Sequence, residues 1–198
     1  MKKLFYVLVL GALLGSACSE GETVKGDQFF EQGKYAEAIE AYNEHLKLKP
    51  KHVKSIYNRG RAFEELGQYE KALADFNTVI ELDPSNANAY MSIGQDFYRK
   101  GEYASAVLSY EQALQHSPDN AQALFLKGRA LHQQGDFENA LSAYNASIST
   151  DKSFGQPYMF RGALYLSLNR KKQACSDLNK ALSLGVKEAQ DPINKYCK

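Results

Sequence analysis

Small and apolar residues recur along this chain at a fixed interval of 34 residues, and the pattern within each interval predicts a pair of helices. Two segments of about a dozen residues in each interval have the apolar spacing of an amphipathic helix, with a short turn between them. The residues that define the interval are Gly26, Gly60, Gly94, Gly128 and Gly162, and Ala38, Ala72, Ala106, Ala140 and Ala174. The chain is therefore predicted to be all-α and built from repeated helical hairpins.

Five units are predicted, and they share the same turn chemistry. Their bounds are residues 19–52, 53–86, 87–120, 121–154 and 155–188. A glycine followed two residues later by an aromatic residue, as in Gly101 and Tyr103, ends the first helix and begins the second, because glycine tolerates the left-handed conformation of a C-cap. Prolines end the second helices at Pro50, Pro84 and Pro118. Residues 189–198 are predicted to form a short capping helix.

The order of small, glycine, aromatic, alanine and proline positions in each unit resembles the tetratricopeptide repeat. The Gly26 and Ala38 series are expected to mark a close approach of two helix backbones, with Phe29 and Tyr42 packed beside it. The resemblance covers nearly all of the chain after residue 18. It implies a right-handed α-solenoid whose first helices line a concave groove.

The resemblance also implies a partner-binding surface in that groove. Groove positions in units 2 to 4 carry aromatic, methionine, arginine and glutamine side chains, a mixture that peptide-binding surfaces favour. They are Tyr57, Arg61, Met91, Gln95, Tyr98, Phe125, Arg129 and His132. A protein or peptide segment is therefore the expected partner. For any one of these residues, solvation or packing against a neighbour is the alternative.

Residues 1–17 are predicted to be a signal peptide. Two lysines precede an apolar or small run at residues 4–14, which is shorter than the roughly 20 apolar residues that span a bilayer. A buried N-terminal helix is the alternative, but its apolar stripe would be interrupted by polar residues. Residues 15–18, Gly-Ser-Ala-Cys, resemble the lipobox of bacterial lipoproteins. The resemblance implies a lipid anchor on Cys18, and Ser19 implies passage to the outer membrane; a chance cysteine is the alternative.

Composition and charge narrow the range of functions. Apolar residues form 44% and charged residues 24% of the chain, which is a globular balance. The formal net charge is +1 without a basic stripe, which argues against nucleic acid as a partner. The histidines do not stand at metal-ligand spacing, and no catalytic or phosphate-loop motif is present. No metal, cofactor or small-molecule substrate is expected, and the protein is not expected to be an enzyme, although a site assembled without a local motif is the alternative.

The last unit departs from the repeat pattern and carries two cysteines near its end. Asn169, Lys171 and Val186 stand where glycine, an aromatic residue and proline are expected. Terminal repeats deviate because they cover the exposed end of the core. Cys175 occupies an apolar position that faces the next element, and Cys197 belongs to the predicted cap. A disulfide between them is expected in an oxidising compartment; two small buried side chains are the alternative.

Together these features predict a lipid-anchored adaptor at the outer membrane of a bacterial envelope, facing the periplasm or the cell surface. It would bind a protein partner in envelope assembly, secretion or pilus biogenesis. An adaptor for cell-wall hydrolases and an accessory lipoprotein of glycan uptake are the alternatives. The glycan-uptake proteins that share such helices are longer and carry large inserted loops, which the sequence between these units does not contain.

Overall fold

The computed structural model describes residues 20–197, with side chains from residue 25 onward. Within that range the chain forms eleven α-helices and no strand, so the all-α prediction is confirmed. The predicted signal peptide and the predicted lipidation site at Cys18 lie outside the described residues. None of the described helices combines the length and the hydropathy that crossing a membrane requires.

Ten of the helices pair as five hairpins, each joined by a short turn. Hairpins 1 to 5 are formed in order by α1 (Glu20–Glu31) and α2 (Tyr35–Leu48), α3 (Val53–Glu65) and α4 (Tyr69–Leu82), α5 (Ala87–Arg99) and α6 (Tyr103–His116), α7 (Ala121–Gln134) and α8 (Phe137–Thr150), and α9 (Gly155–Ser167) and α10 (Lys171–Ser183). Each hairpin packs against the next, through contacts of α2 with α3, α4 with α5, α6 with α7 and α8 with α9. The stack is the predicted α-solenoid.

The helix ends follow from local sequence. The first helices of hairpins 2 to 4 are N-capped by side chains that accept hydrogen bonds from the backbone three residues later: His52 from Ser55, Asn86 from Ala89 and Asn120 from Ala123. Gly101 ends α5 in the left-handed conformation, with a φ of 79°. Asn169 has a φ of 57° at the corresponding turn of hairpin 5. Asparagine tolerates this conformation, so the departure from the repeat pattern preserves the turn.

The repeated glycines make room for aromatic rings. A Cβ atom built on Gly94 would lie 2.5 Å from Cε1 of Tyr110, and one on Gly26 would lie 2.5 Å from Cε1 of Tyr42. Both rings are fully buried. In these two hairpins the ring sixteen residues later fills the space beside the glycine, whereas a Cβ atom on Gly162 would lie 3.3 Å from the backbone oxygen of Ala174.

The array has an inner face, formed by the first helices. Helix α1 contacts α3, α5 contacts α7, and α7 contacts α9, whereas the second helices of neighbouring hairpins contact each other less. Hydrogen bonds from Lys54 and Asn58 of α3 to Asp27 of α1 also join the first helices of two neighbouring hairpins. A stack curves toward the side on which its helices lie closer together. The exposed side of α1, α3, α5, α7 and α9 is called the inner face below.

The C-terminal end of the array is covered by a small cap. A 3-10 turn at Lys187–Ala189 leads into α11 (Gln190–Tyr196), and both pack against α10. Ala189 is buried beside Leu178, with Ile193 packed against them. A disulfide joins Cys175 of α10 to Cys197, with their Cα atoms 5.5 Å apart. The cap covers apolar side chains of α10, among them Leu178 and Ala181.

Candidate functional site

The inner face begins with a closed hydrogen-bond network around Asp27 of α1. The Tyr42 hydroxyl donates to Oδ1 of Asp27 at 2.7 Å. From α3, Asn58 donates to the same oxygen and Lys54 donates to Oδ2, each at 2.8 Å. Burial alone raises the pKa of Asp27, but these hydrogen bonds and the charge of Lys54 outweigh it and hold the pKa below the ordinary value of an aspartate. This carboxylate is thus satisfied within the chain.

The next section of the inner face lies on α3, and two of its charged side chains, Arg61 and Glu64, form an ion pair with each other. Nε of Arg61 lies 2.9 Å from Oε2 of Glu64, which is an ion pair without the geometry of a hydrogen bond. Burial raises the pKa of Glu64, and the charge of Arg61 offsets part of that rise. The half-buried ring of Tyr57 packs at 5.6 Å from Phe76. A cavity of about 220 Å³ separates this section from Asp27.

Arg129 of α7 lies among aromatic rings contributed by three helices. Its Cζ is 4.7 Å from the ring centroid of Tyr98, 5.0 Å from that of Phe160 and 5.8 Å from that of Phe125. Its Nη2 donates to the Tyr98 hydroxyl at 3.3 Å. Its Nε is shielded from solvent and has no hydrogen-bond partner among the described residues. No ion pair of the described residues includes this guanidinium.

Phe125 is a buried residue, although the sequence predicts that it lines the groove. Its side chain is 2% exposed. The rings of Phe154 and Phe160 contact it at 5.3 Å each, and both belong to hairpin 5 or its entry. The prediction that Phe125 offers contact surface is therefore wrong, because the following hairpin covers it. Its ring packs beside the guanidinium of Arg129.

The remaining predicted groove residues differ in exposure. Gln95 is exposed, and Met91 is half-buried with Nδ2 of Asn120 at 3.4 Å from its sulfur. His132 is half-buried, and its ring packs at 5.7 Å from Phe137. Burial lowers the pKa of His132, which favours the neutral ring. Of the eight predicted positions, the structure thus brings Tyr98 and Arg129 into direct polar contact.

Two arginine clamps, each formed by an ion pair within one hairpin and a hydrogen bond to the preceding hairpin, have no counterpart in the sequence predictions. Nε and Nη2 of Arg59 donate to the two carboxylate oxygens of Asp75, at 2.8 and 2.7 Å, and Nη1 donates to Asn43 of the preceding hairpin at 2.7 Å. The same contacts recur at Arg161, Asp177 and Asn145. The two sets stand three repeat periods apart. Their shared register is a sequence signal, because Asn43, Arg59 and Asp75 each stand 102 residues before Asn145, Arg161 and Asp177.

The inner face presents hydrogen-bond donors and ring faces. Tyr98, Gln95 and Arg129 supply the donors, and Tyr98 also supplies a ring face. Such groups bind carboxylates, carbonyls and apolar side chains. Within residues 25–197, no three His, Cys, Asp or Glu side chains come close enough to hold a metal ion.

A solenoid of helical hairpins with a polar and aromatic inner face defines a helical-repeat protein. Three family profiles described as tetratricopeptide repeat match residues 29–92, 91–154 and 155–184. Together they run without a gap from residue 29 to residue 184. The chain therefore belongs to the tetratricopeptide repeat family.

Solved structures show the same fold. The crystal structure of MamA is 25% identical, with a TM-score of 0.71, and the match covers 83% of this chain and 96% of that one. The thermophilic TPR protein TTC0263 from Thermus thermophilus is 21% identical, with a TM-score of 0.70 and coverage of 91% and 97%. YrrB, described as a TPR protein with an unusual peptide-binding site, is 17% identical, with a TM-score of 0.68 and coverage of 89% and 92%. No curated protein gives a significant match.

Proposed function

We propose that this protein is a scaffold that binds an extended segment of a protein partner along its inner face. The observation that carries the proposal is the contrast between the sections of that face. Asp27 is hydrogen-bonded and Arg61 is ion-paired with Glu64 within the chain, whereas no ion pair of the described residues includes Arg129. Aromatic and arginine side chains of this kind dominate the energetics of protein interfaces.

The shape of the surface supports a chain-like ligand. The inner face runs along five consecutive first helices, and exposed or half-buried side chains from three of them alternate apolar and polar groups. An extended peptide can place its side chains against such a surface one hairpin at a time. YrrB has the same fold and is described as having a peptide-binding site, which supports the proposal that this protein also binds a peptide segment.

A lipid anchor in the bacterial envelope is the second part of the proposal. It rests on the apolar run at residues 4–14 and on the Gly-Ser-Ala-Cys sequence that ends at Cys18. The chain attached to a multiply acylated cysteine is held stably at a membrane surface. The proposed adaptor would therefore recruit its partner to the outer membrane, on the periplasmic side or at the cell surface.

The inner-face proposal is tested by capture from envelope extracts with matched variants. Wild-type protein, Tyr98→Ala and Leu108→Ser are immobilised, and captured proteins are identified by mass spectrometry. Leu108 is the control because it is 63% exposed on a second helix, away from the inner face. We expect one partner that binds the wild type and Leu108→Ser but not Tyr98→Ala. Equal capture by all three would contradict binding on the inner face. Recovery of a cell-wall hydrolase or a glycan transporter would select one of the two alternative pathways.

The anchor is tested separately. Cys18→Ser is expected to give a protein that incorporates no labelled fatty acid and leaves the membrane fraction or remains unprocessed. Unchanged labelling and fractionation relative to the wild type would refute lipidation at this residue.

A further inference from the structure

We infer that Arg129 holds an acidic side chain of the bound segment, which makes it the residue that sets the charge specificity of the inner face. This inference rests on the proposed function and names the chemistry of the partner at one position. It follows from comparing Arg129 with the same register position in other hairpins.

Hairpin 2 shows what an arginine at this position does when the chain supplies its partner. Arg61 stands two repeat periods before Arg129, and Glu64 stands two periods before His132. Arg61 is paired with Glu64 at 2.9 Å. In hairpin 4 the carboxylate is replaced by the half-buried ring of His132, so the guanidinium of Arg129 lacks the partner that its counterpart has.

Hairpin 1 shows the reverse arrangement of charge. There Asp27 occupies the register of Arg129, and it accepts a hydrogen bond from Tyr42. Tyr144 occupies the register of Tyr42, and its hydroxyl is shielded without a hydrogen-bond partner among the described residues. The carboxylate that completes the network in hairpin 1 is thus missing in hairpin 4, where a cation stands instead.

The environment of Arg129 favours a carboxylate over water as its remaining partner. Rings of Tyr98, Phe125 and Phe160 surround the guanidinium and reduce its hydration. Their faces stabilise the cation, yet the Tyr98 hydroxyl is the one hydrogen-bond acceptor that the described residues give the guanidinium, and it carries no negative charge. A carboxylate fits that planar fork and gains from the low local dielectric.

The position of Arg129 selects an internal acidic side chain as the source of that carboxylate. Helix α7 lies between α5 and α9, so first helices flank Arg129 on both sides. A segment that follows the inner face passes this point and continues. Aspartate or glutamate within the segment is therefore the proposed ligand, and the C-terminal carboxylate of the partner is the alternative source that the experiment separates.

The test uses a phage-displayed library of random dodecapeptides whose C-termini are fused to the coat protein, so that only side chains supply carboxylates. The full-length protein, purified in detergent, is the target. We expect the selected peptides to share an aspartate or glutamate at one position. A synthetic copy of a selected peptide with that residue changed to its amide should bind the wild type about tenfold more weakly or worse, because a charge-assisted hydrogen bond is lost.

Three variants assign the effect to Arg129. In Arg129→Gln the acid and amide peptides should bind with equal affinity. In His132→Glu the chain supplies the carboxylate that hairpin 2 has, so the acid preference should also disappear although the cation is kept. Arg61→Gln is the matched control and should keep the full preference, since the charge of Arg61 is already balanced by the ion pair with Glu64. Thermal unfolding by circular dichroism checks that each variant is folded.

The outcomes separate this inference from the proposed function. Selected peptides without a shared acidic residue, or an acid preference that survives Arg129→Gln in folded protein, would overturn the inference and leave segment binding intact. Synthetic peptides that bind only with a free C-terminal carboxylate, and not as C-terminal amides, would overturn the internal acidic source. No selection by the wild type would contradict both proposals.

Discussion

At the scale of single residues, the packing of hairpins 1 to 4 depends on a glycine beside an aromatic ring. A Cβ atom on Gly94 would approach three ring atoms of Tyr110 at 2.5 to 3.0 Å, and the ring is fully buried. Gly94→Ala gains about 1 kcal/mol of helix propensity, but the overpacking costs about 1–3 kcal/mol. With three close contacts we expect the upper end of that range and a net loss of about 1–2 kcal/mol. Urea unfolding measures it.

The control for this prediction is the neighbouring residue. Gln95 is exposed, so Gln95→Ala should change the free energy of unfolding by no more than about 0.5 kcal/mol. Equal urea midpoints for the two variants would show that the ring of Tyr110 moves aside at little cost.

The repeat pattern predicts the place of the glycines in each hairpin, but it does not predict how exposed every residue between them is. Phe125 and Tyr57 share a register position, yet Phe125 is buried because Phe154 and Phe160 of the following hairpin cover it. Asp96 stands where hairpins 2 and 4 have alanine, and it is 7% exposed beside Lys100. The repeat period fixes the position of each residue on its helix. The neighbouring hairpin decides what covers it, and that depends on side chains far away in sequence.

At the scale of elements, the clamps of Arg59 and Arg161 fasten second helices to first helices and one hairpin to the next. The Arg59 and Asp75 side chains are 24% and 9% exposed, so the pair is only weakly screened. Arg59→Ala removes three hydrogen bonds and leaves the carboxylate of Asp75 without its partner. We expect a loss of about 1.5–3 kcal/mol in the free energy of unfolding, measured by urea titration.

The matched control is an ion pair on the surface. Lys47 and Glu44 are 68% and 66% exposed, and such pairs contribute little. Lys47→Ala should therefore leave the urea midpoint almost unchanged. A comparable loss in both variants would indicate that the charge of the chain, rather than the clamp, determines the effect.

The cap is attached to α10 by a covalent bond that can be reduced. The disulfide between Cys175 and Cys197 spans 22 residues and is the covalent link between α10 and the end of α11. The loop-entropy model assigns such a bond about 3 kcal/mol. Reduction should therefore increase hydrogen exchange in α11 first, while α3 to α6 stay protected. Mass spectrometry after alkylation without reductant checks the bond itself. Modification of both thiols in protein purified from the oxidising compartment would contradict it.

The turns and the cap illustrate how far sequence patterns extend to elements. The glycine and proline positions predict where the helices end, since these residues have strong backbone preferences. Asn169 breaks the glycine series, yet its φ of 57° shows that conformation, and not residue identity, is what the turn requires. Backbone preferences do not predict the clamps, because arginine and aspartate have no strong preference for one backbone conformation.

At the scale of the whole molecule, the apolar core is divided unequally along the array. Its largest continuous cluster extends from α6 to α9 and includes Tyr110, Phe125 and Tyr144. The cluster of hairpin 1 contains Ala38, Tyr42 and Ala62 as its buried members. In a solenoid each hairpin contacts only its neighbours, so local stability follows the packing of adjacent interfaces. The array should consequently open from its ends.

Hydrogen exchange followed by mass spectrometry at neutral pH tests this expectation. Amides of α7 and α8 should exchange most slowly, because opening them exposes the largest apolar cluster and breaks interfaces on both sides. Those of α1 and α11 should exchange fastest, since among the described residues each packs against the array on one side only. Gly128→Ala, which places a Cβ atom 2.7 Å from the ring of Tyr144, should lower protection throughout α6 to α9. Gly26→Ala, with its contact to Tyr42, should lower it chiefly in α1 to α3. The same loss everywhere in both variants would mean that the array unfolds as one unit and that its interfaces are coupled over its full length.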